Sequence, residues 1–166
     1  MADLETGGVT GVGQYIFNVT NSATGTTIQQ SVLQSSEDDS SSQGQVISAF
    51  LSSQGSGFSG IAITANSATS TQGSWQWFNG STWTNISTSL GEGSALFLST
   101  TTNIRFLPAV DYNGAPGTLT ARLVSNSVAP ANGSSINVSA NGSGTPYSVS
   151  TLNLSTTITA VNDAPT

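Results

Sequence analysis

Glu37, Asp38 and Asp39 place three carboxylates side by side in a chain that carries only eight acids and two basic residues. Crowded charges of one sign repel, and a divalent cation is the simplest relief. Ca2+ suits such a loop because it takes about six to eight oxygen ligands, with backbone carbonyls and water completing the shell. Asp111 and Asn113 offer two more side-chain oxygens around an expected tight turn. The plain alternatives are a solvated acidic loop at 37–39 and a capped turn at 111–113. Trp75, Trp77 and Trp83 are the other distinctive group. Three indole rings can form a platform for a sugar. Trp75 and Trp77, two apart on one strand face, are instead expected in the core. That leaves Trp83 as the partly exposed candidate for ligand contact.

Catalysis has little to work with. The chain has no His and no Cys, so the commonest general bases and the thiol nucleophile are missing. A carboxylate pair can still hydrolyse a glycoside. The candidates Glu37, Asp38, Asp39, Glu92 and Asp111 all fall in expected loops, and none adjoins a pattern that would raise its pKa. The chain is therefore read as not an enzyme. A net charge of −6 with two Arg and no Lys argues against nucleic acid, whose phosphates need cations. It disfavours anionic membrane surfaces for the same reason. No apolar run approaches the ~20 residues of a membrane helix, so membrane insertion is not expected. Without Cys there are no disulfide staples, and bound calcium is another source of rigidity. Arg105, set between apolar neighbours, is expected to point outward or to pair with Asp111 or Glu92. Arg122 is read as a surface residue. Seven Asn-x-Ser/Thr sequons, from Asn18 to Asn153, are given no role.

The elements that must hold these residues are strands. Alternation of apolar and polar residues recurs along the chain, and helical periodicity is almost missing. Tyr15–Thr20, Val46–Leu51, Ile61–Thr64, Trp75–Trp77, Ala95–Leu98, Ile104–Leu107, Leu119–Leu123 and Ile136–Val138 read as strands. Leu152 to Ala160 is the last and longest. Asn79-Gly80, between Trp77 and Trp83, is a tight-hairpin signal, and Asn113-Gly114, Asn132-Gly133 and Asn141-Gly142 are similar. Nine or ten short strands with frequent turns predict an all-β protein, an immunoglobulin/cadherin-like β-sandwich, with a barrel as the alternative. Residues 1–26 differ in texture. They are read as an added strand region or the remnant of a neighbouring or inserted domain. Met1-Ala2-Asp3-Leu4-Glu5 has no basic start and no apolar stretch, so it is not a signal peptide. Met1 is read as an added start, with any export signal in a longer parent.

Four segments in order carry a resemblance. They are Ser36-Glu37-Asp38-Asp39 before Gly44; Gly60-Ile61-Ala62-Ile63-Thr64 leading to Trp75, Trp77 and Trp83; Ile104-Arg105-Phe106-Leu107-Pro108 leading to Asp111-Tyr112-Asn113-Gly114; and Ile158-Thr159-Ala160-Val161-Asn162-Asp163-Ala164-Pro165-Thr166. Together they resemble the cadherin-like tandem repeats of giant bacterial RTX-type adhesins, over residues 27 to 166. The resemblance implies a sandwich at 27–160 and an interdomain linker at 161–166. It implies a calcium-stiffened spacer on the bacterial cell surface, outside the cell. The partners would be adjacent modules of the same polypeptide. It also implies that Asn162 and Asp163 act as linker ligands for Ca2+, completed by the next module. The alternative within the same kind of adhesin is a module that binds carbohydrate (surface glycans) or host and cell-surface proteins. One departure stands out. Such repeats often continue after Leu119-Thr120 with Ala-Trp-Asp, whereas this chain reads Ala121-Arg122-Leu123-Val124, so one acidic ligand candidate is missing.

Overall fold

The computed structural model describes residues 27–31 and 34–163. The alternation at Tyr15–Thr20, the whole 1–26 region and linker residues 164–166 lie outside them. The described chain is all-β, apart from one short helix and two 3-10 turns. Its strands are β1 (Thr27–Ser31), β2 (Ser35–Ser36), β3 (Gln45–Val46), β4 (Phe58–Asn66), β5 (Gly73–Phe78) and β6 (Trp83–Asn85), then β7 (Ala95–Ser99), β8 (Asn103–Pro108), β9 (Leu119–Ser125), β10 (Ser135–Ile136), β11 (Tyr147–Ser155) and β12 (Ile158–Thr159). Six of them form a sheet in the order β1-β11-β9-β4-β7-β10, and four form a second sheet, β3-β8-β5-β6. β12 and β2 pair in parallel as a separate ribbon.

The period-two pattern explains where the core lies. Successive strand residues face opposite ways. Ile61 and Ile63 of β4, Ala121 and Leu123 of β9, Leu98 of β7, and Leu152 and Leu154 of β11 are buried toward one side. They share a single apolar cluster with Trp75 of β5 and with Ile104 and Phe106 of β8, so the main core joins the two larger sheets. The other face of the six-stranded sheet is buried as well. Ala62, Ala95, Phe97 and Val124 form a second cluster with Val138, and Val128, Ile136 and Tyr147 pack on it. Val128 and Val138, from the chain between β9 and β11, thus cover that face.

Two segments depart from the expectation. Val46–Leu51 is not a strand. Pairing with β8 stops after Val46, and Ile47–Leu51 forms helix α1. Ile47, Phe50 and Leu51 fall at the three-and-four spacing of one helix face, and all three are buried. The amides at its start are satisfied by neighbouring carbonyls, Ile47 N–H by Thr102 at 2.9 Å and Ser48 N–H by Thr100 at 2.9 Å. The long alternation from Leu152 to Ala160 is also two strands, because the chain leaves β11 at Ser155 and pairs anew as β12 with β2.

One buried hydroxyl sits where a ladder fails. Register slips between Tyr147 and Thr151 on β11. There the buried Ser148 hydroxyl accepts from Leu123 N–H at 2.9 Å and donates to the Ser150 carbonyl at 2.6 Å, replacing the lost ladder partners. Trp75, fully buried, donates from Nε1 to the Gly117 carbonyl at 2.7 Å. Gly117 N–H in turn donates to Gln72 Oε1 at 3.1 Å. A Cβ at Gly117 would collide with the Ser67 carbonyl, so only glycine allows this approach. These contacts fix the loop that carries residues 109–118. Trp75→Ala would empty a large core volume and orphan the Gly117 carbonyl. A loss of about 3–5 kcal/mol is expected for such a truncation, read by urea denaturation followed by far-UV circular dichroism.

Candidate functional site

The β2–β12 ribbon gathers the acidic residues at one end of the molecule. Ser35 pairs with Ile158 and Ser36 with Thr159. Ile158 and Gly114 exchange both backbone hydrogen bonds, each at 2.9 Å, which brings the Asp111–Gly114 turn to the same place. Glu37 follows β2 directly and joins the three segments. Its N–H donates to the Thr159 carbonyl at 3.1 Å. Its carboxylate accepts from Asn113 Nδ2 at 3.0 Å and from the Val161 N–H at 2.7 Å. One side chain therefore ties the 111–113 turn and the first linker residue together. These two bonds, Asn113 first, pull the Glu37 pKa below its ordinary 4.5.

The neighbouring candidates behave differently. Asp39 Oδ1 accepts from Ser41 N–H at 2.9 Å and Ser41 Oγ at 3.0 Å, and Oδ2 accepts from Ser35 Oγ at 3.3 Å. Burial acts to raise its pKa, but these bonds outweigh it and hold the carboxyl below its usual range. Asp38, Asp111, Asn162 and Asp163 are on the exposed surface, and Asn162 Nδ2 reaches only the adjacent Asp163 carbonyl, at 3.4 Å. Asp111 has φ of 60°, the left-handed region that Asp tolerates better than most residues. It follows Val110, which is 89% exposed. The three carboxylates of the 37–39 triplet thus do not turn toward one point. Among the described residues no three His, Cys, Asp or Glu side chains converge. In donor type the end suits an oxygen-seeking cation. In arrangement, both oxygens of Glu37 already receive N–H donors.

Trp83 sits at the edge of the four-stranded sheet, half-buried. The Arg105 guanidinium lies over its ring, 4.2 Å from the centroid, and Phe78 packs against it at 5.4 Å. Trp75 and Trp77 pack in or against the core, as their spacing implies. Arg105 faces away from the core, yet it is only 8% exposed and pairs with neither Asp111 nor Glu92. It donates from Nε to Gln76 Oε1 at 2.9 Å and from Nη1 to the carbonyls of Ser42 at 2.7 Å and Ser40 at 3.4 Å. Burial pulls its pKa below the ordinary range, and nearby Asp39 opposes that pull. Gly44, at φ 68°, lets the loop lie against β8, since a Cβ there would collide with the Ile104 carbonyl.

Arg122, expected as a surface residue, is instead a largely buried tie. Its side chain is 13% exposed. Nε and Nη2 grip the Glu92 carboxylate at 2.9–3.1 Å, while Nη1 donates to the carbonyls of Ser148 at 2.9 Å and Val149 at 2.7 Å. The fork geometry of a guanidinium suits this double duty.

Two outcomes follow. Arg122→Ala leaves Glu92 without its cation and two carbonyls without donors. A loss of about 1–3 kcal/mol is expected, discounted for the partial exposure of Glu92 and read by denaturant melting. Glu37 has a depressed folded pKa, so its contribution is fully present above about pH 4.5 and is lost as pH falls through the folded value. Glu37→Gln should flatten that part of the acid-stability curve, and hydrogen exchange of the Val161 amide should accelerate in Glu37→Ala. No protein-family profile, curated protein or solved structure matches the chain, so the residues themselves carry the functional reading.

Proposed function

We propose that this chain is a non-enzymatic structural spacer, an immunoglobulin/cadherin-like β-sandwich module of a large repetitive bacterial surface adhesin, joined outside the cell to adjacent modules of the same polypeptide. The observation that carries this reading is the Glu37 tie. A hydrogen-bonded exit at Val161 gives the departing chain a defined direction, which a spacer needs and an isolated domain does not. The distribution of charge supports it. Of the six described acids, Glu92 is engaged with Arg122, and the other five lie on the segments that Glu37 and the β2–β12 ribbon join. A main core shared between the two larger sheets is consistent with a sandwich.

Calcium belongs to the proposal as an interdomain ion. Asp38, Asp111, Asn162 and Asp163 would offer oxygens from this side, and a following module would complete the shell. Glu37 and Asn113 would have to exchange their mutual bond to take part. The binding-module alternative would use Trp83. One face of that ring is already occupied by Arg105, which favours the spacer.

The test is a tandem of two copies joined through residues 161–166, melted with Ca2+ and with EDTA, beside a single copy. A ligand at a hundredfold excess over its Kd stabilises by about 2.7 kcal/mol, a rise of several degrees. The expected result is a Ca2+-dependent rise in the tandem, with an extended, calcium-stiffened shape in small-angle scattering. Identical curves and a freely hinged tandem would overturn the reading, as would hits for the single copy on a glycan array that Trp83→Ala abolishes.

A further inference from the structure

Four Asn-Gly pairs occur in the chain, at 79–80, 113–114, 132–133 and 141–142. Such a pair can close on itself. The glycine amide nitrogen attacks the asparagine side-chain carbonyl carbon, and ammonia leaves. Closure needs a free glycine N–H, and three of the pairs do not have one. Gly114 N–H donates to the Ile158 carbonyl at 2.9 Å, Gly133 N–H to Phe97 at 2.8 Å, and Gly142 N–H to Tyr147 at 2.8 Å. The Gly80 N–H has no such partner, and nothing stands within 4 Å of where a Cβ would be. Both Asn79 and Gly80 are exposed.

The turn around Asn79 also resembles a small acyl-transfer site. Asn79 Oδ1 accepts from the N–H groups of Ser81 at 2.9 Å and Thr82 at 3.0 Å. Two fixed amides on a carbonyl oxygen polarise the carbon and hold the charge of a tetrahedral intermediate. The departing nitrogen, Nδ2, lies 3.3 Å from Thr82 Oγ1 and 3.2 Å from Thr84 Oγ1. Asn132 separates the two requirements. Its Oδ1 also accepts two bonds, from Ser99 N–H and Thr102 Oγ1, but its glycine amide is tied. Asn113 and Asn141 lack the amide pair on Oδ1 and the free glycine alike.

We propose that Asn79 is a self-modifying site, converting spontaneously through a succinimide to aspartate and isoaspartate in the folded protein. The Gly80 N–Cγ bond forms, the Cγ–Nδ2 bond breaks, and the proton from the Gly80 amide leaves on ammonia. Water then opens the ring at either carbonyl, and nothing is oxidised or reduced. Aspartate keeps the Oδ1 acceptor, and its second oxygen accepts from the two threonine hydroxyls to which Nδ2 donated. Isoaspartate lengthens the backbone by one methylene beside the Phe78–Trp83 pair. Either product adds a negative charge to the hairpin tip.

The experiment incubates the protein in mildly alkaline buffer, folded and in denaturant. Peptide mass mapping and enzymatic isoaspartate labelling follow each Asn-Gly separately. In denaturant all four should convert at comparable rates. In the folded chain Asn113, Asn132 and Asn141 should slow by at least about tenfold, the rate equivalent of one hydrogen bond that must open first. Asn79 should match or exceed its unfolded rate, and Asn79→Ser, checked by melting to be folded, should remove both signals at that peptide. Slowing of Asn79 along with the others, or earlier conversion of any other pair, would overturn the proposal.

Discussion

A sheet buried on both faces has little room for charge, and that constraint organises this molecule. β4, β7 and β9 each send one set of side chains to the main core and the alternate set to the second cluster. Burying an ion there is costly unless it is paired and fully hydrogen-bonded. The single cation within this sheet, Arg122, meets both conditions, with a carboxylate on one side of its fork and two carbonyls on the other. Ser148 does for the neutral case what Arg122 does for the charged one, supplying hydroxyl bonds where the β11 register slips.

Excluded from the sheet interiors, the acids collect at the loops. With one of the two arginines held by Glu92 and the other laid under Trp83 and the 40–42 loop, little positive charge is left to meet them. They are satisfied by N–H and O–H groups instead. Asp39 is wrapped by its own serines, and Glu37 reaches across to a turn and a tail. Hydrogen bonds thus do the work that salt bridges do in a chain richer in lysine.

The strand pattern was readable because period-two alternation survives wherever one or both faces are packed. Ile61, Trp75, Ile104, Leu119 and Leu152 all lie in strands and in the core, as their spacing implied. The helix at Ile47–Leu51 is not legible in the sequence, because an apolar run this short is ambiguous between the two periods. Only its docking against the Thr100 and Thr102 carbonyls settles it. Glu37, Asn113 and the linker were each singled out by residue type, but the tie among them spans 76 and 124 positions. No local pattern encodes a contact of that range. The tie made by Arg122 is equally illegible, since Glu92 lies 30 positions away and its other acceptors are backbone carbonyls that carry no compositional mark.

The direction of the pairings has a mechanical consequence. β1 runs parallel to β11, from Thr27 opposite Thr151 to Ser31 opposite Ser155, and β2 runs parallel to β12. Tension applied between Thr27 and Asp163 is therefore directed along these ladders and loads their hydrogen bonds together, in shear. The β5–β6 hairpin, pulled apart at its open end, would instead yield one bond at a time. Several bonds must break at once in the first geometry and only one in the second, so the parallel ladders resist load along their own length more than the hairpin does.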